Sequence, residues 1–269
     1  MPELPEVETV VKAINRSLES MTIKRFIIIN SKLRWDISSN IPKLVKNRKI
    51  ENIYRRGKHI IFKLDNGYIL IHLGMTGIIK FIDTIDAKNR SKHDHYQIEL
   101  KDNKILKYND VRKFGSIHWT ENIHDHFLIQ NLGPEPLSKE FDSIFLKDKC
   151  RNRNVAIKNL IMNQNIVVGV GNIYACEALY MSSIRPDKKC KYITLKQCDD
   201  LVKSIKFVLK KSIKSGGTTL KDFKNLDGAP GYFKQKLMIY DCKICKCGVE
   251  VKNIKLGGRS SFYCNVCQK

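Results

Sequence analysis

Pro2, Glu3 and Glu6 open the chain with residue types that could carry out covalent chemistry. With Met1 removed, which the small residue after it allows, Pro2 becomes the amino terminus. Its nitrogen is then a secondary amine with a pKa of about 8, against ~10.4 for a lysine side chain, so roughly a tenth of it is uncharged at neutral pH. Attack of such an amine on a sugar aldehyde carbon gives an iminium that keeps its positive charge and serves as an electron sink. Glu3 and Glu6 place carboxylates within reach of the amine, a nucleophile beside a general acid. Taken alone, the same residues also read as an ordinary start with acidic residues beginning a helix.

The other end of the chain carries metal chemistry. Cys242-Lys-Ile-Cys245 and Cys264-Asn-Val-Cys267 are two C-x2-C knuckles separated by eighteen residues, the span of a four-cysteine zinc ribbon. Four thiolates close a tetrahedral site, so one structural Zn2+ is expected there, holding structure and doing no chemistry. Cys247, followed by Gly248 as the second cysteine of a knuckle often is, makes a third upstream candidate. The C-x2-C spacing favours Cys242 with Cys245, and Cys247 stands as the rival ligand. Between the knuckles, Leu256-Gly257-Gly258-Arg259-Ser260 reads as a turn with Arg259 at its tip, a planar fork suited to phosphate.

Three further stretches combine cations with apolar wedges: Arg55-Arg56-Gly57-Lys58-His59, Asp110-Val-Arg112-Lys113-Phe114-Gly115, and Met75 within Gly74-Met75-Thr76-Gly77. An enzyme acting on an extruded base needs both, charge to grip the backbone and a wedge to fill the vacated stack. Each is ordinary alone, and Met75 by itself reads as core. Val168-Gly169-Val170-Gly171-Asn172-Ile173-Tyr174 runs from apolar to glycine-rich to helical, which suits either close approach to a phosphate or tight helix packing.

The elements that must position these residues divide in two. Pro5 suits a first helical turn, and Val7, Val10, Val11, Ile14, Leu18 and Met21 repeat at helical spacing. From about Thr22 to Trp119, short β-rich runs (24–29, 59–64, 68–73, 96–100) alternate with turn signals such as Asp65-Asn66-Gly67 and predict an antiparallel sandwich. Gly133-Pro134-Glu135-Pro136 marks a boundary. Beyond it, helices are expected over 144–149, 156–163, 173–180 and 195–214, followed by a glycine-rich connector from Ser215 to Gly231 and then the cysteine-rich tail. The fold class is therefore multi-domain α+β.

Composition agrees with a nucleic-acid partner. The formal net charge is +22, of the sign that attracts a polyanion, although an AT-rich genome also inflates the lysines. No apolar run approaches the ~20 residues of a membrane span, and the acidic start lacks a basic-then-apolar leader, so a cytoplasmic protein without membrane contact is expected. In that compartment nine cysteines argue against a disulfide framework, and Cys150, Cys176, Cys190 and Cys198 read as small buried hydrophobes.

The segments MPELPEVET, RRGKH, HLGMTG, KHDH, DVRKFG, LGPEPL, VVGVGNIYA and GGTTL, with the tail ending RSSFYCNVCQ, resemble the bacterial formamidopyrimidine-DNA glycosylases nearly end to end. The resemblance implies a bifunctional base-excision repair glycosylase and abasic-site lyase for oxidised purines, with double-stranded DNA in a cleft between domains. It implies an N-terminal catalytic sandwich domain with its helix over 1–132. A helix-two-turn-helix domain with the damaged-base loop follows over 133–231, then a zinc finger over 232–269. It makes Pro2 the Schiff-base nucleophile, Glu3 the acid assisting base release, and Lys58 and Arg259 the proton donors of β- and δ-elimination. His93, Arg112, Arg153 and Asn172 match DNA-contacting positions, and Met75, Arg112 and Phe114 match residues that fill the gap left by the flipped nucleotide. A monomer associated with the nucleoid is the family expectation, and the Ser215–Gly231 connector is the candidate loop for the damaged base. One departure stands out: counted back from Cys264, Cys247 falls on the family's second zinc ligand and Ile244 on its first. The sister endonuclease VIII branch, acting on oxidised pyrimidines, is the nearest alternative, although Leu4, Val7, Arg112 and Phe114 favour the purine branch. A non-catalytic zinc-ribbon nucleic-acid-binding protein is the alternative of another class.

Overall fold

Helix α1 (Leu4–Leu18) forms where the periodicity predicts it: Val7, Val10, Val11, Ile14 and Leu18 are buried, and Met21 packs on the same core just past the helix end. Pro5 lies in its first turn, and the Glu3 backbone N–H donates to Glu6 Oε2 at 2.9 Å, one arm of a capping box. In this computed structural model, residues 2–82, 89–217 and 237–269 are described.

Two four-stranded antiparallel sheets follow. Strands β1 (Ile23–Ile28), β6 (Asp94–Leu100), β7 (Ile105–Asn109) and β5 (Ile78–Ile82) form one in that order. Strands β2 (Ile50–Arg56), β3 (His59–Leu64), β4 (Gly67–His72) and β8 (Ser116–Thr120) form the other. A short helix α2 (Ile41–Val45) joins β1 to β2. Residues of α1 and of both sheets share one apolar core, including Phe26, Ile53, Phe62 and Tyr96, so the sandwich expected from the alternating runs is present. The runs themselves are matched to within a residue or two.

Past the Gly-Pro-Glu-Pro boundary the chain is helical. Helices α3 (Ser143–Cys150), α4 (Ile157–Ile161), α5 (Asn172–Met181) and α6 (Leu195–Lys214) bury a second core. Asp142 caps α3 by accepting from Phe145 N at 2.7 Å, and Thr194 with Gln197 closes a capping box on α6. Cys150, Cys176, Cys190 and Cys198 are fully buried, as expected of small hydrophobes. The chain ends in a hairpin of β9 (Lys252–Leu256) and β10 (Arg259–Tyr263). Its two-residue turn needs positive φ at both centres, met by Gly257 (54°) and Gly258 (76°).

The chain divides into two compact units, Met1–Gln130 with Gly216–Gly231, and Asn131–Ser215 with Tyr232–Lys269. The boundary tetrapeptide is tied into the second unit, with Gly133 N donating to Gln164 O and Pro134 O accepting from Val168 N. Residues 218–231 of the connector proposed to meet the damaged base lie outside the described residues. Gly217 has φ +85°, and a Cβ there would come within 3.0 Å of Glu6 Oε1.

Candidate active site

In the first unit, Pro2 is buried immediately before α1, and Glu3 and Glu6 are 2% and 1% exposed. Two carboxyls this enclosed need partners. Glu6 spends one oxygen on the Glu3 backbone N–H, which fixes the chain direction where Pro2 projects from the helix. Glu6 thus acts on the site through Glu3's backbone.

Lys58 follows Gly57, whose φ of +57° makes the tight turn between β2 and β3. Arg55 holds this hairpin: its Nε donates to Glu8 Oε2 at 2.7 Å and a terminal nitrogen donates to Gly57 O at 3.1 Å. The hairpin that carries Lys58 is thereby pinned to α1, which carries Glu6 and is preceded by its N-cap Glu3. The RRGKH motif contains an anchor, Arg55, as well as the candidate Lys58, and only the fold tells the two apart.

The wedge residues come together. A cavity of about 650 Å³ is lined by Leu33, Arg34, His72, Met75, Arg112 and Phe114, among others. The Arg112 guanidinium lies 4.8 Å from the Phe114 ring centroid, a cation–π contact that leaves both side chains exposed. Gly74 and Gly115 make this possible. A Cβ on Gly74 would collide with the backbone of Phe114 and Gly115, and one on Gly115 with the Tyr108 hydroxyl.

The brace beneath is Asp110, fully buried. Its Oδ1 accepts the Thr76 hydroxyl and Arg112 N, and its Oδ2 accepts Gly115 N at 2.8 Å and the Tyr108 hydroxyl at 3.2 Å. Asp110 N also donates to His93 O, joining the turn that carries His93 to the same loop. Asp110→Ala strands several buried donors and is expected to cost on the order of 3 kcal/mol. Urea unfolding and DNA affinity should both weaken; an unchanged midpoint would refute the brace.

Behind this surface lies a group of histidines. The His59 and His72 rings are 5.1 Å apart, as are those of His118 and His126. Burial first, then neighbouring imidazoles, pushes His59 down to about 3. Burial, then the charges of Lys58 and Arg34, pushes His72 to about 4, and burial with His126 takes His118 to about 4. All three are depressed below the ordinary ~6.5, so the stability they contribute is complete above that value and is lost as pH falls toward 4 and 3. The melting temperature should drop steeply from pH 6.5 to 4, and His59→Phe should flatten that slope. Identical slopes in wild type and variant would refute the assignment.

In the second unit, Arg153 is exposed in the loop after α3, and Arg259 is exposed at the β9–β10 turn. Asn172 is the first residue of α5, with its side chain engaged inside the unit: Oδ1 accepts from Lys158 Nζ at 2.6 Å and Nδ2 donates to Ser260 O at 3.0 Å. Fully buried Lys158 also donates to Ser260 O and Ser261 Oγ. This cation ties the start of α5 to the strand bearing Arg259, and among 49 Lys and Arg nothing in the sequence marks it. Within the glycine-rich run, Gly169 N donates to Gln164 Oε1, so that glycine serves the packing of the run.

The cysteine cluster corrects the upstream pair. Cys245, Cys247, Cys264 and Cys267 place their sulfurs within 4.8 Å of one another, and Cys242 is not among them. The reason is a small hairpin: Ile244 bridges Glu250, Cys245 N donates to Val249 O, and Gly248 N donates to Cys245 O. Its tip presents Cys245 and Cys247 together. Cys242 precedes it, with its thiol near the Leu237 and Tyr240 carbonyls. Ile244, matched to a ligand by counting back from Cys264, is exposed. Separations of 3.8 Å for Cys245–Cys267 and 3.6 Å for Cys247–Cys264 fit the ~3.8 Å edge of a tetrahedron with Zn–S of ~2.3 Å.

Residues 1–117 match the model of the formamidopyrimidine-DNA glycosylase N-terminal domain, and residues 132–224 match that of the formamidopyrimidine-DNA glycosylase H2TH domain. The chain is 45% identical to the formamidopyrimidine-DNA glycosylase of Histophilus somni over all of both chains. It is 48% identical to that of Glaesserella parasuis, covering 100% of this chain and 99% of the relative. Among solved structures, wild-type Lactococcus lactis Fpg in complex with DNA containing N7-benzyl-Fapy-dG superposes with a TM-score of 0.90 at 33% identity over the whole of both chains. The same protein with THF-DNA and an inhibitor gives the same values.

Proposed function

The chain belongs to the formamidopyrimidine-DNA glycosylase family, and from that premise we propose how its own residues carry the reaction. It is a base-excision repair glycosylase for oxidised purines, in a family that also cleaves abasic sites, and its partner is double-stranded DNA carrying such damage.

Pro2, freed of Met1, attacks C1′ of the damaged nucleotide. The nitrogen lone pair forms the new bond, the N-glycosidic bond breaks, and the departing base takes a proton supplied by Glu3. The proline nitrogen then gives up its N–H proton and its lone pair breaks the C1′–O4′ bond, O4′ taking a proton as the sugar ring opens, and the iminium left at C1′ acidifies the C2′ proton. Loss of that proton expels the 3′ phosphate with Lys58 as proton donor, and a second elimination expels the 5′ phosphate with Arg259 as donor. Glu6 positions Glu3. The observation that supports this assignment is the enclosure of Glu3 and Glu6 at the start of α1, with Glu3 N held by Glu6 at 2.9 Å.

His93, Arg112, Arg153 and Asn172 contact DNA, and Met75, Arg112 and Phe114 fill the gap left by the flipped nucleotide. The cavity lined by Met75, Arg112 and Phe114 supports the second role. Cys245, Cys247, Cys264 and Cys267 hold one Zn2+, which supplies structure in a closed four-thiolate site. Functionally the chain reads as three modules, 1–132, 133–231 and 232–269, working as a monomer in the bacterial cytoplasm at the nucleoid. Among the described residues no helix is long and apolar enough to cross a membrane.

Borohydride reduction on abasic-site DNA tests the centre of this scheme. A covalent adduct mapped to Pro2 supports it; an adduct mapped to Lys58, or none, sinks it. Faster cleavage of a thymine-glycol duplex than of an 8-oxoguanine duplex would move the chain to the pyrimidine branch.

A further inference from the structure

Helix α5 holds the cysteine ribbon at three points along its length. At its start, Asn172 donates to Ser260 O of β10, and Lys158 of α4, bound to Asn172, donates to Ser260 O and Ser261 Oγ. In its middle, buried Glu177 accepts the backbone N–H groups of Met238, Ile239 and Tyr240 at 2.8–2.9 Å. Near its end, the Tyr180 hydroxyl lies 3.1 Å from Cys245 Sγ, while its ring packs against the cluster of Cys176, Ile239, Cys245 and Cys264.

We propose that Tyr180 is an outer-shell residue of the metal centre, donating its hydroxyl proton to the Cys245 thiolate and so setting how tightly the ribbon holds zinc. This rests on the zinc reading above. Four thiolates around a divalent ion leave two net negative charges, here in a cluster where Cys245 and Cys264 are 3% and 0% exposed. Buried charge of that kind requires hydrogen-bond donors. The knuckle Cys245-Lys246-Cys247 has one intervening residue, so its own backbone offers little room for them. Tyr180 adds a donor from a different element. A metal-bound thiolate has no proton, so the phenol must be the donor. The same bond fixes the sulfur's direction relative to α5.

Outer-shell partners of this kind are typically worth 10–100-fold in metal affinity. Tyr180→Phe keeps the ring and removes only the donor. Chelator competition should show zinc affinity lowered by about tenfold. In the cobalt-substituted protein, thiolate-to-metal charge-transfer bands should shift to longer wavelength, because a thiolate without its donor gives up electron density more easily. Loss of packing alone would not move those bands.

Wild type with one zinc, and a variant unchanged in both affinity and spectrum, overturns the role of Tyr180 and leaves the metal reading standing. Wild type with no zinc overturns both. If Tyr180→Phe does not fold, the wild-type protein loaded with cadmium-113 decides. A hydroxyl proton coupled through the hydrogen bond to cadmium supports the proposal, and its absence overturns it.

Discussion

Pro2→Gly is expected to bind abasic-site DNA as the wild type does and to cleave it about a hundredfold more slowly. Glycine leaves a primary amine at the same place, so the amine is not lost. What is lost is the iminium that keeps its charge without a proton, together with the fixed φ of proline ahead of α1. A hundredfold drop corresponds to about 2.7 kcal/mol in the barrier. Binding should hold because phosphate contacts from many cations dominate affinity in a chain of net charge +22. Undiminished turnover would hand the nucleophile's role to Lys58 or another amine. The same logic makes Met1 a block: while it remains, the Pro2 nitrogen is an amide with no basic lone pair, and no adduct should be trapped.

Cys247→Ser is expected to empty the ribbon of zinc, whereas Cys242→Ser should keep the full complement. Structural zinc in a four-thiolate site contributes on the order of 10 kcal/mol of folding free energy to its module, so losing one ligand should unfold the β9–β10 hairpin locally. Arg259 stands at the turn of that hairpin, and strand cleavage in Cys247→Ser should therefore stall after β-elimination. Metal analysis of the two purified variants, with gel resolution of β- and δ-products, reads both effects. Zinc lost from Cys242→Ser and retained in Cys247→Ser would reverse the ligand assignment.

The cysteine pair shows why spacing alone misled. Cys242 and Cys245 have the knuckle separation, and counting back from Cys264 selects Ile244 and Cys247. Neither rule sees that Cys245 N pairs with Val249 O and Gly248 N with Cys245 O. Those local bonds decide which thiols share a hairpin tip. Asp110 is similar. It stands in plain view in the DVRKFG motif, where Arg112 and Phe114 draw attention, yet its full burial and its bond to Thr76 come from the fold, which also turns Tyr108, Arg112 and Gly115 inward onto the same carboxylate.

Patterns set by neighbours along the chain could be read directly. The apolar face of α1, the alternating strands, the helices after the Gly-Pro-Glu-Pro boundary and the Gly-Gly turn before Arg259 all follow from local periodicity and backbone freedom. Pro2 and Glu3 stand out as candidates because a terminal secondary amine beside carboxylates is unusual chemistry wherever the chain goes, and the family resemblance is what attaches roles to them. The tertiary structure alone decided which like residues do unlike things. It buried Lys158 as a tie while leaving Arg259 exposed, made Arg55 an anchor for the hairpin that presents Lys58, and set Cys247 in the cluster in place of Cys242. The physical reason is common to all three. A side chain's type is a property of one residue, but its desolvation and hydrogen-bond partners belong to whatever the fold packs against it.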